Sequence, residues 1–189
     1  MKGSPPFAPP RHVSDIADCY FYHTMDLPGH GRVGGEWDLR GGEDAYLGNV
    51  PLQGKRVLEL GTASGFLCRY MESKGANVVG FDLSSEQSWD LVPFARFDIA
   101  SHASAMKTHV ERLKNGWWFA HRLLNSGASA VYGSIYALPK EIGAVDISTF
   151  GALLLHLRDP FHALFNAVQL TRKTVIVTGA TNGLGLATA

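Results

Sequence analysis

The stretch from Arg56 to Ser84 constrains the fold of this chain more than any other part of its sequence. The apolar run VLEL is followed by the small-residue segment GTASG, then by apolar residues at helical spacing, then by a second apolar run, VVGF. This order is typical of a strand, a tight turn, a helix and a second strand. Because such crossovers are right-handed, both strands are expected in one parallel sheet. The sequence therefore predicts an α/β fold with a ligand site where the strands end.

The turn and the two strand ends carry residue types that suit a nucleoside. Gly61 and Gly65 allow a sharp turn and a close approach of the backbone to a ligand. Glu59 and Asp82, at the ends of the first and second strands, only accept hydrogen bonds when ionised. Asp82 follows Gly61 by about 20 residues, the spacing at which an acidic side chain reaches ribose hydroxyls. We therefore expect a ligand that contains adenosine.

The glycine pattern narrows the kind of nucleoside. It reads G-x-x-x-G and lacks the lysine of a P-loop, so binding of a nucleoside triphosphate is not expected. Glu59 would repel a pyrophosphate but would suit an ammonium group. S-adenosylmethionine carries an ammonium group, a sulfonium and a ribose, so it fits this turn better than NAD does. The alternative interpretation is a glycine turn that only closes the corner between a strand and a helix.

At this point the sequence resembles a known family. The turn is similar to the first motif of class I S-adenosylmethionine-dependent methyltransferases, with Ala63 where many members have a glycine. The upstream strings FYHTMDLPG and EWDLRG resemble the group related to the tRNA uridine-5-oxyacetic acid methyltransferases. The resemblance implies a Rossmann-like, doubly wound, mostly parallel sheet, here incomplete at its C-terminal edge. It also implies methyl transfer from S-adenosylmethionine to a small molecule or a tRNA nucleoside.

The resemblance implies a set of site residues. The residues expected to bind the cofactor are Glu59, Gly61, Thr62, Ala63, Ser64, Gly65, Asp82, Leu83, Ser134, Ile135, Phe150 and Gly151. Of these, Ser134 and Ile135 would lie beside the adenine, and Phe150 and Gly151 would face the methionine part.

Three further residues are candidates for catalysis or substrate contact, and none has a metal-ligand pattern around it. His23 is expected either to act as a general base or to fix the N-terminal segment by hydrogen bonds to loop backbone. His156 is the second candidate. Arg158 would position a substrate, or with Asp159 it would cap the helix that begins at Pro160.

The chain is predicted to form one domain, preceded and followed by segments of other composition. Residues 1–12 are rich in proline and are expected to form a flexible tail. Residues 13–50 form a cap that ends in a long glycine-rich loop, and residues 51–178 form the cofactor-binding core. Further strands are predicted at 128–133, 144–150 and 174–178, and helices at 101–125, with a break or a bend near Asn115 and Gly116, and at 161–171. Ser14 is expected to cap a short helix near the N-terminus.

A basic cluster on the first of these helices allows two interpretations. The cluster consists of Lys107, Arg112, Lys114, His121 and Arg122. With Trp117 and Trp118 as stacking rings it would bind RNA. The alternative is a solvated helix face whose aromatic residues belong to the core.

The last residues introduce a rival function. The string TGATNGLG from Thr178 to Gly185 resembles the cofactor loop of short-chain dehydrogenases. A dehydrogenase would need a further sheet, so we interpret residues 179–189 as the mark of a truncation or fusion. The alternatives to an active methyltransferase are an NAD(P)-dependent oxidoreductase fragment and an inactive remnant that binds S-adenosylmethionine.

Composition limits the partners and the location. Lys and Arg number 17, and so do Asp and Glu, so no overall charge drives binding to nucleic acid or to an anionic membrane. The N-terminus lacks the apolar region of a signal peptide, and no apolar run approaches about 18 residues. Only two cysteines, Cys19 and Cys68, are present, which is typical of a reducing compartment. We expect a cytoplasmic protein without a membrane segment or an obligate protein partner.

Overall fold

The computed structural model describes residues 6–87, 89–90 and 98–179. Its first elements are the short strands β1 (Met25–Leu27) and β2 (Gly31–Val33) and the helix α1 (Glu43–Tyr46). The strand–turn–helix–strand unit then consists of β3 (Arg56–Leu60), α2 (Phe66–Ser73) and β4 (Asn77–Leu83). The remaining elements are α3 (Ile99–Leu123), β5 (Ser129–Gly133), β6 (Val145–Gly151), α4 (Pro160–Leu170) and β7 (Thr171–Thr178).

The core is a parallel sheet of five strands in the order β5-β4-β3-β6-β7. The predicted parallel sheet is therefore confirmed, with β7 on the far side of β6 from the central strand β3. Leu60 pairs with Phe81 on one side and with Phe150 on the other, so the carboxyl ends of three strands lie together. The strand order reverses beside β3, and open α/β sheets bind ligands at such a point.

The two faces of the sheet are covered by different helices because side chains alternate along each strand. Val57 packs in the core on the side of α2 and α3, together with Met71 and Trp117. Leu58 belongs to the core on the side of α4, and so does Leu60. The sheet is thus doubly wound, as predicted.

Helix α3 is continuous, so the predicted break near Asn115 and Gly116 is wrong. The helix begins at Ile99, where the side chain of Asp98 accepts a hydrogen bond from the Ser101 backbone N–H at 3.0 Å. A Cβ on Gly116 would lie 2.6 Å from the backbone oxygen of Tyr20. This glycine therefore allows the close approach of another segment, and the helix continues through it. At about 1.5 Å per residue, a helix of this length is roughly 37 Å long and extends past the sheet.

The N-terminal segment differs from its prediction. Residues 6–12 were expected in a flexible tail, but Phe7 forms an antiparallel bridge to Val131 on the outer side of β5. The backbone N–H of Ala8 donates to the Ala130 oxygen at 2.8 Å. This segment covers the free edge of the sheet, which satisfies backbone groups that would otherwise be unpaired.

The rest of the cap also contains more structure than its composition indicates. The short helix at Ile16–Asp18 is a 3-10 turn capped by the side chain of Asp15, so the prediction of Ser14 as the cap is wrong. The loop predicted between residues 25 and 48 contains the β1–β2 hairpin and α1.

The end of the core follows the prediction closely. Pro160 is the first residue of α4, and the Asp159 side chain accepts a hydrogen bond from the His162 backbone N–H at 3.0 Å. Residues 1–5, and all of the predicted glycine-rich tail except Gly179, lie outside the described residues. Within the part of the chain that the structure describes, no helix is long and apolar enough to cross a membrane.

Candidate functional site

The turn after β3 runs through left-handed backbone conformations. The φ angles of Gly61, Ala63 and Gly65 are 77°, 48° and 84°. Such angles are natural for glycine and uncommon for alanine, so Ala63 is held there by its surroundings. The backbone N–H groups of Gly61 and Thr62 both donate to the oxygen of Phe81, at 2.9 and 3.2 Å, which ties the turn to the end of β4.

Asp82 joins this turn to the strand end. One carboxylate oxygen accepts from the backbone N–H of Ala63 at 2.7 Å, and the other accepts from that of Leu83 at 2.7 Å. Burial raises the pKa of Asp82, while these two backbone hydrogen bonds and the charge of Lys114 act in the opposite direction. Each carboxylate oxygen has a second acceptor position, so the side chain can still receive hydrogen bonds from a ligand.

Glu59 lies beneath the turn rather than at its surface. Its position in β3 directs the side chain toward α2, where it accepts hydrogen bonds from the Thr62 hydroxyl at 2.9 Å and the Cys68 thiol at 2.6 Å. Trp117 donates its indole N–H to the same hydroxyl at 3.2 Å. Burial, the largest effect, raises the pKa of Glu59 to about 7.

A cavity of about 770 Å³ opens where the strands end. This volume lies within the range of pockets that hold cofactors and drug-sized ligands. Nine of the predicted site residues line it, namely Gly61, Ala63, Asp82, Leu83, Ser134, Ile135, Gly151, His156 and Arg158. The structure thus brings together residues from the ends of β3, β4, β5 and β6, as their register requires.

The other predicted cofactor residues lie behind the cavity wall. They are Glu59, Thr62, Ser64, Gly65 and Phe150. Ser64 is fully buried and its hydroxyl accepts from the Tyr22 backbone N–H at 3.1 Å. A Cβ on Gly65 would lie 2.7 Å from the Trp117 ring, and Phe150 belongs to the core on the α4 side. These residues shape the turn and support it from below.

His23 is not among the residues that line the cavity. Its ring packs against those of Tyr22 and Phe66, with centroids 4.9 and 5.6 Å away, and its backbone pairs with Trp37. Burial lowers the pKa of His23 to about 4, and its Nδ1 atom has no hydrogen-bond partner in the described part of the chain. This position matches the alternative in which His23 fixes the N-terminal segment, although it does so by packing and backbone pairing.

His156 and Arg158 lie on the cavity rim, next to a hydrogen-bonded group of residues from distant parts of the chain. The Asp90 carboxylate accepts from the Tyr136 hydroxyl and, at 2.9 Å, from the Arg158 backbone N–H. The Tyr136 hydroxyl in turn accepts from the Asp159 backbone N–H at 3.1 Å. Partial desolvation lowers the pKa of His156, so its imidazole is neutral at pH 7.

Several lining residues were missed by the sequence analysis. The N-terminal cap contributes Tyr22 and Glu36, and α3 contributes Met106, His109, Val110 and Leu113. Trp89 also lines the cavity, and its ring lies near those of His109 and His156. The sequence carried a partial signal for α3, since its apolar stripe continues N-terminal to the residues that pack on the sheet.

The prediction that Trp117 and Trp118 are available as stacking rings for RNA is wrong. Trp117 and Trp118 are 1% and 4% exposed, because both rings are part of the core. The basic side chains have internal partners: Arg112 donates to the backbone oxygens of Ala17 and Cys19, and Arg122 donates to that of Val13. Arg112 and Arg122 therefore hold the N-terminal cap against the helix.

Comparison with known proteins identifies the family of this chain. A family model described as a methyltransferase domain matches residues 44–177, which is most of the chain. No curated protein matches the chain at a significant level.

Solved structures agree at the level of the fold. A Rhodobacter sphaeroides protein described as a Zn-dependent alcohol dehydrogenase has a TM-score of 0.50 and 19% identity over 71% of this chain and 44% of its own. The magnesium protoporphyrin IX methyltransferase of Synechocystis PCC 6803, with bound SAH, has a TM-score of 0.49 and 19% identity over 77% of this chain and 55% of its own. The CcbJ methyltransferase of Streptomyces caelestis has a TM-score of 0.47 and 20% identity over 72% of this chain and 47% of its own. The chain thus spans about half the length of the solved structures that it matches.

Proposed function

The chain belongs to the methyltransferase-domain family, and from this premise we propose that it is a methyltransferase that uses S-adenosylmethionine. The observation that carries the proposal is the cavity at the strand ends, where Asp82 and the turn from Gly61 to Gly65 meet. The activity would be transfer of the cofactor's methyl group to a nucleophilic atom of an acceptor.

The residues present fit this cofactor. We propose that the Asp82 carboxylate accepts hydrogen bonds from the ribose hydroxyls, using its free acceptor positions. Leu83 and Ile135 supply apolar contacts for the adenine, with Ser134 beside them. Gly61 and Gly151 line the cavity and would let the backbone come close to the methionine part.

The sequence predicted that Glu59 contacts the ligand directly, whereas in this proposal it supports the turn. Its hydrogen bonds to Thr62 and Cys68 make it a support for the turn. An ammonium group of the ligand would feel its charge through the turn rather than by direct contact.

The chemistry needs mainly alignment and exclusion of water. S-adenosylmethionine supplies an electrophilic methyl group, and in-line placement of an acceptor atom accounts for much of the rate of such a transfer. We propose His156 as the group that accepts a proton from the acceptor, because it lines the cavity and its lowered pKa keeps it neutral. Arg158 and Asp90 hold the rim beside it, with a guanidinium–carboxylate distance of 3.7 Å.

The acceptor is proposed to be a small molecule rather than a tRNA nucleoside. The tRNA-related group was implied by the strings around Tyr22, but the basic residues of α3 that would support RNA binding contact the N-terminal cap instead. A cytoplasmic location likewise stays a prediction, which the two free, buried cysteines Cys19 and Cys68 support.

Calorimetric titration with S-adenosylhomocysteine tests the proposal. Asp82→Asn should weaken binding by about 1–3 kcal/mol, since the ribose hydroxyls lose a charged acceptor. The matched control is Asp26→Asn, which removes a carboxylate from the exposed β1–β2 hairpin and should leave affinity unchanged. Equal affinity of the two variants would show that Asp82 does not contact the ribose.

The same titration with NADP separates the rival functions. The oxidoreductase interpretation requires NADP binding, which we do not expect. The inactive-remnant interpretation requires cofactor binding with no methyl transfer to any acceptor, and it is contradicted by the first acceptor that is methylated.

A further inference from the structure

The cavity has a second region beyond the strand ends, formed by the N-terminal half of α3, by Trp89 and by the turn that follows β6. We name this region the α3 lobe. Its walls are Trp89, Met106, His109, Val110, Leu153, His156 and Leu157. None of these residues belongs to the glycine turn or to the end of β4, where the nucleoside part of the cofactor is proposed to bind.

We infer that the α3 lobe binds the methyl acceptor, and that this acceptor is a flat, largely apolar small molecule that is neutral or cationic rather than anionic. The inference rests on the proposed function, since it names the substrate class of the same cavity.

The shape and chemistry of the lobe indicate a flat apolar ligand. The Trp89 ring lies edge-on to two imidazoles, those of His109 at 6.1 Å and His156 at 6.5 Å between centroids. Met106, Val110 and Leu157 supply aliphatic surface around these rings. Aromatic walls of this kind prefer ring-shaped ligands, which stack offset or edge-to-face and bury much apolar area.

The polar atoms of the lobe leave a hydrogen bond available. The indole nitrogen of Trp89 is buried and has no hydrogen-bond partner among the described residues. A buried donor without a partner is costly, so a ligand oxygen or nitrogen placed there would gain a hydrogen bond that the described part of the chain does not provide. The acceptor is therefore expected to be apolar in its body and to carry a polar atom.

The charges that line the cavity determine the sign of the ligand. Among the described residues that line the cavity, four are carboxylic acids, Glu36, Asp82, Glu86 and Asp90, and one, Arg158, has a permanent positive charge. Arg158 already lies near Asp90, so it does not offer an unpaired charge to a ligand. The sulfonium of a bound cofactor would offset one of the carboxylates and leave the cavity negative. An anionic acceptor would be repelled, and repulsion is stronger in a partly enclosed cavity than in water.

Three described basic residues of α3 lie near the lobe without lining the large cavity. One of them, Lys107, lines a small adjoining pocket with Trp89 and Met106. Lys114 is 4% exposed and pairs with Glu111 at 3.1 Å, with its ammonium group 4.6 Å from the Tyr132 ring. Arg112 contacts the N-terminal cap. Neither lines the cavity, so within the described residues Arg158 is the one arginine or lysine that a phosphate-bearing ligand would meet there.

The test uses three probes of similar size, naphthylmethanol, naphthylmethylamine and naphthoate, together with a short single-stranded RNA. Each is titrated into the full chain by calorimetry, with and without saturating S-adenosylhomocysteine. We expect the neutral and cationic probes to bind at least about tenfold more tightly than naphthoate, and the RNA not to bind. Failure of all three probes to bind, or tighter binding of naphthoate or RNA, would overturn the inference.

Two pairs of variants place the binding in the α3 lobe. Trp89→Ala should weaken naphthylmethanol binding by about tenfold, and Trp89→Phe should largely preserve it, because a ring remains. Trp37→Ala is the matched control, since Trp37 is 56% exposed and outside the cavity lining. Glu86→Gln should reduce the discrimination against naphthoate, whereas Asp26→Asn should not. Equal effects of Trp89→Ala and Trp37→Ala would contradict the inference.

The outcome is separable from that of the proposed function. Absence of S-adenosylhomocysteine binding would contradict the proposed cofactor, whatever the probes do. Binding of S-adenosylhomocysteine with no preference among the probes would contradict only the acceptor class.

Discussion

Gly61 has a left-handed backbone conformation and also lies against the proposed ligand site. Its φ is 77°, and an added Cβ would lie 3.1 Å from the Leu153 side chain across the cavity wall. Gly54 has a φ of 69° but open space around it. Both Gly→Ala substitutions should cost about 1–2 kcal/mol of stability from the left-handed backbone.

Only Gly61→Ala should also reduce the affinity for S-adenosylhomocysteine, by at least about tenfold, because only this methyl group enters the proposed site. Denaturant unfolding and calorimetry on both variants provide the comparison. Equal affinities would mean that the turn does not contact the ligand.

Glu59 is expected to make stability depend on pH. The folded-state pKa of about 7 is above the ordinary value of 4.5 because burial disfavours the charged form. Between about pH 4.5 and 7 the folded chain therefore holds a proton that the unfolded chain releases, and stability falls as pH rises through this window. Burial also raises the pKa of Asp82, an effect with the same sign.

Glu59→Gln removes this titration while keeping an oxygen that can accept from Thr62. Urea unfolding at pH 5 and pH 8 measures the free energy of unfolding of both proteins. From pH 5 to pH 8 this free energy should change in favour of the variant, relative to the wild type, by up to about 3 kcal/mol. A pH-independent difference between the two proteins would show that Glu59 is ionised throughout.

Helix α3 shows how packing overrides propensity. In an exposed helix, Gly→Ala is stabilising by about 1 kcal/mol. At Gly116 the added methyl group would lie 2.6 Å from the Tyr20 backbone oxygen, so we expect destabilisation of about 1–3 kcal/mol instead. Gly127→Ala is the control, because its methyl group would make an ordinary contact of 3.7 Å. A rise in the unfolding midpoint of Gly116→Ala would contradict the packing described for this helix.

The elements that could be predicted are those whose signal is local. β3 and β4 are short apolar runs flanked by turn residues, and α4 has both a proline at its first position and an aspartate cap. The β1–β2 hairpin was missed because its strands have three residues each, too few for an alternating pattern to be distinguished from a loop. The continuity of α3 was missed because the reason for Gly116 lies in a contact with Tyr20, about 100 residues away in sequence.

At the scale of the whole molecule, β7 is separated from the nucleoside end of the cavity by β6 and β3. Removal of residues 180–189 should therefore leave the affinity for S-adenosylhomocysteine within about threefold, roughly 0.7 kcal/mol. Titration of the full and shortened chains checks this. Loss of NADP binding on removal, with S-adenosylhomocysteine binding unchanged, would instead assign a dinucleotide site to those residues.

The site could be predicted only in part, because its residues come from segments that are distant in the sequence. Asp82 and Gly61 lie in one local unit, so their spacing carries information. Glu36, Trp89 and His109 come from three separate segments, and they meet only because the N-terminal cap docks on α3. No spacing rule connects these three residues. The direction of the Glu59 side chain could not be predicted either, because it depends on which face of the sheet α2 covers.

The measurement that tests the central claim most directly is a crystal structure of the full chain with S-adenosylhomocysteine. We predict ribose hydroxyls within hydrogen-bond distance, about 2.5–3.0 Å, of the Asp82 carboxylate, and the adenine against Leu83 and Ile135. The thioether sulfur should face the α3 lobe. A ligand bound elsewhere, or one whose ribose does not contact Asp82, would contradict the account.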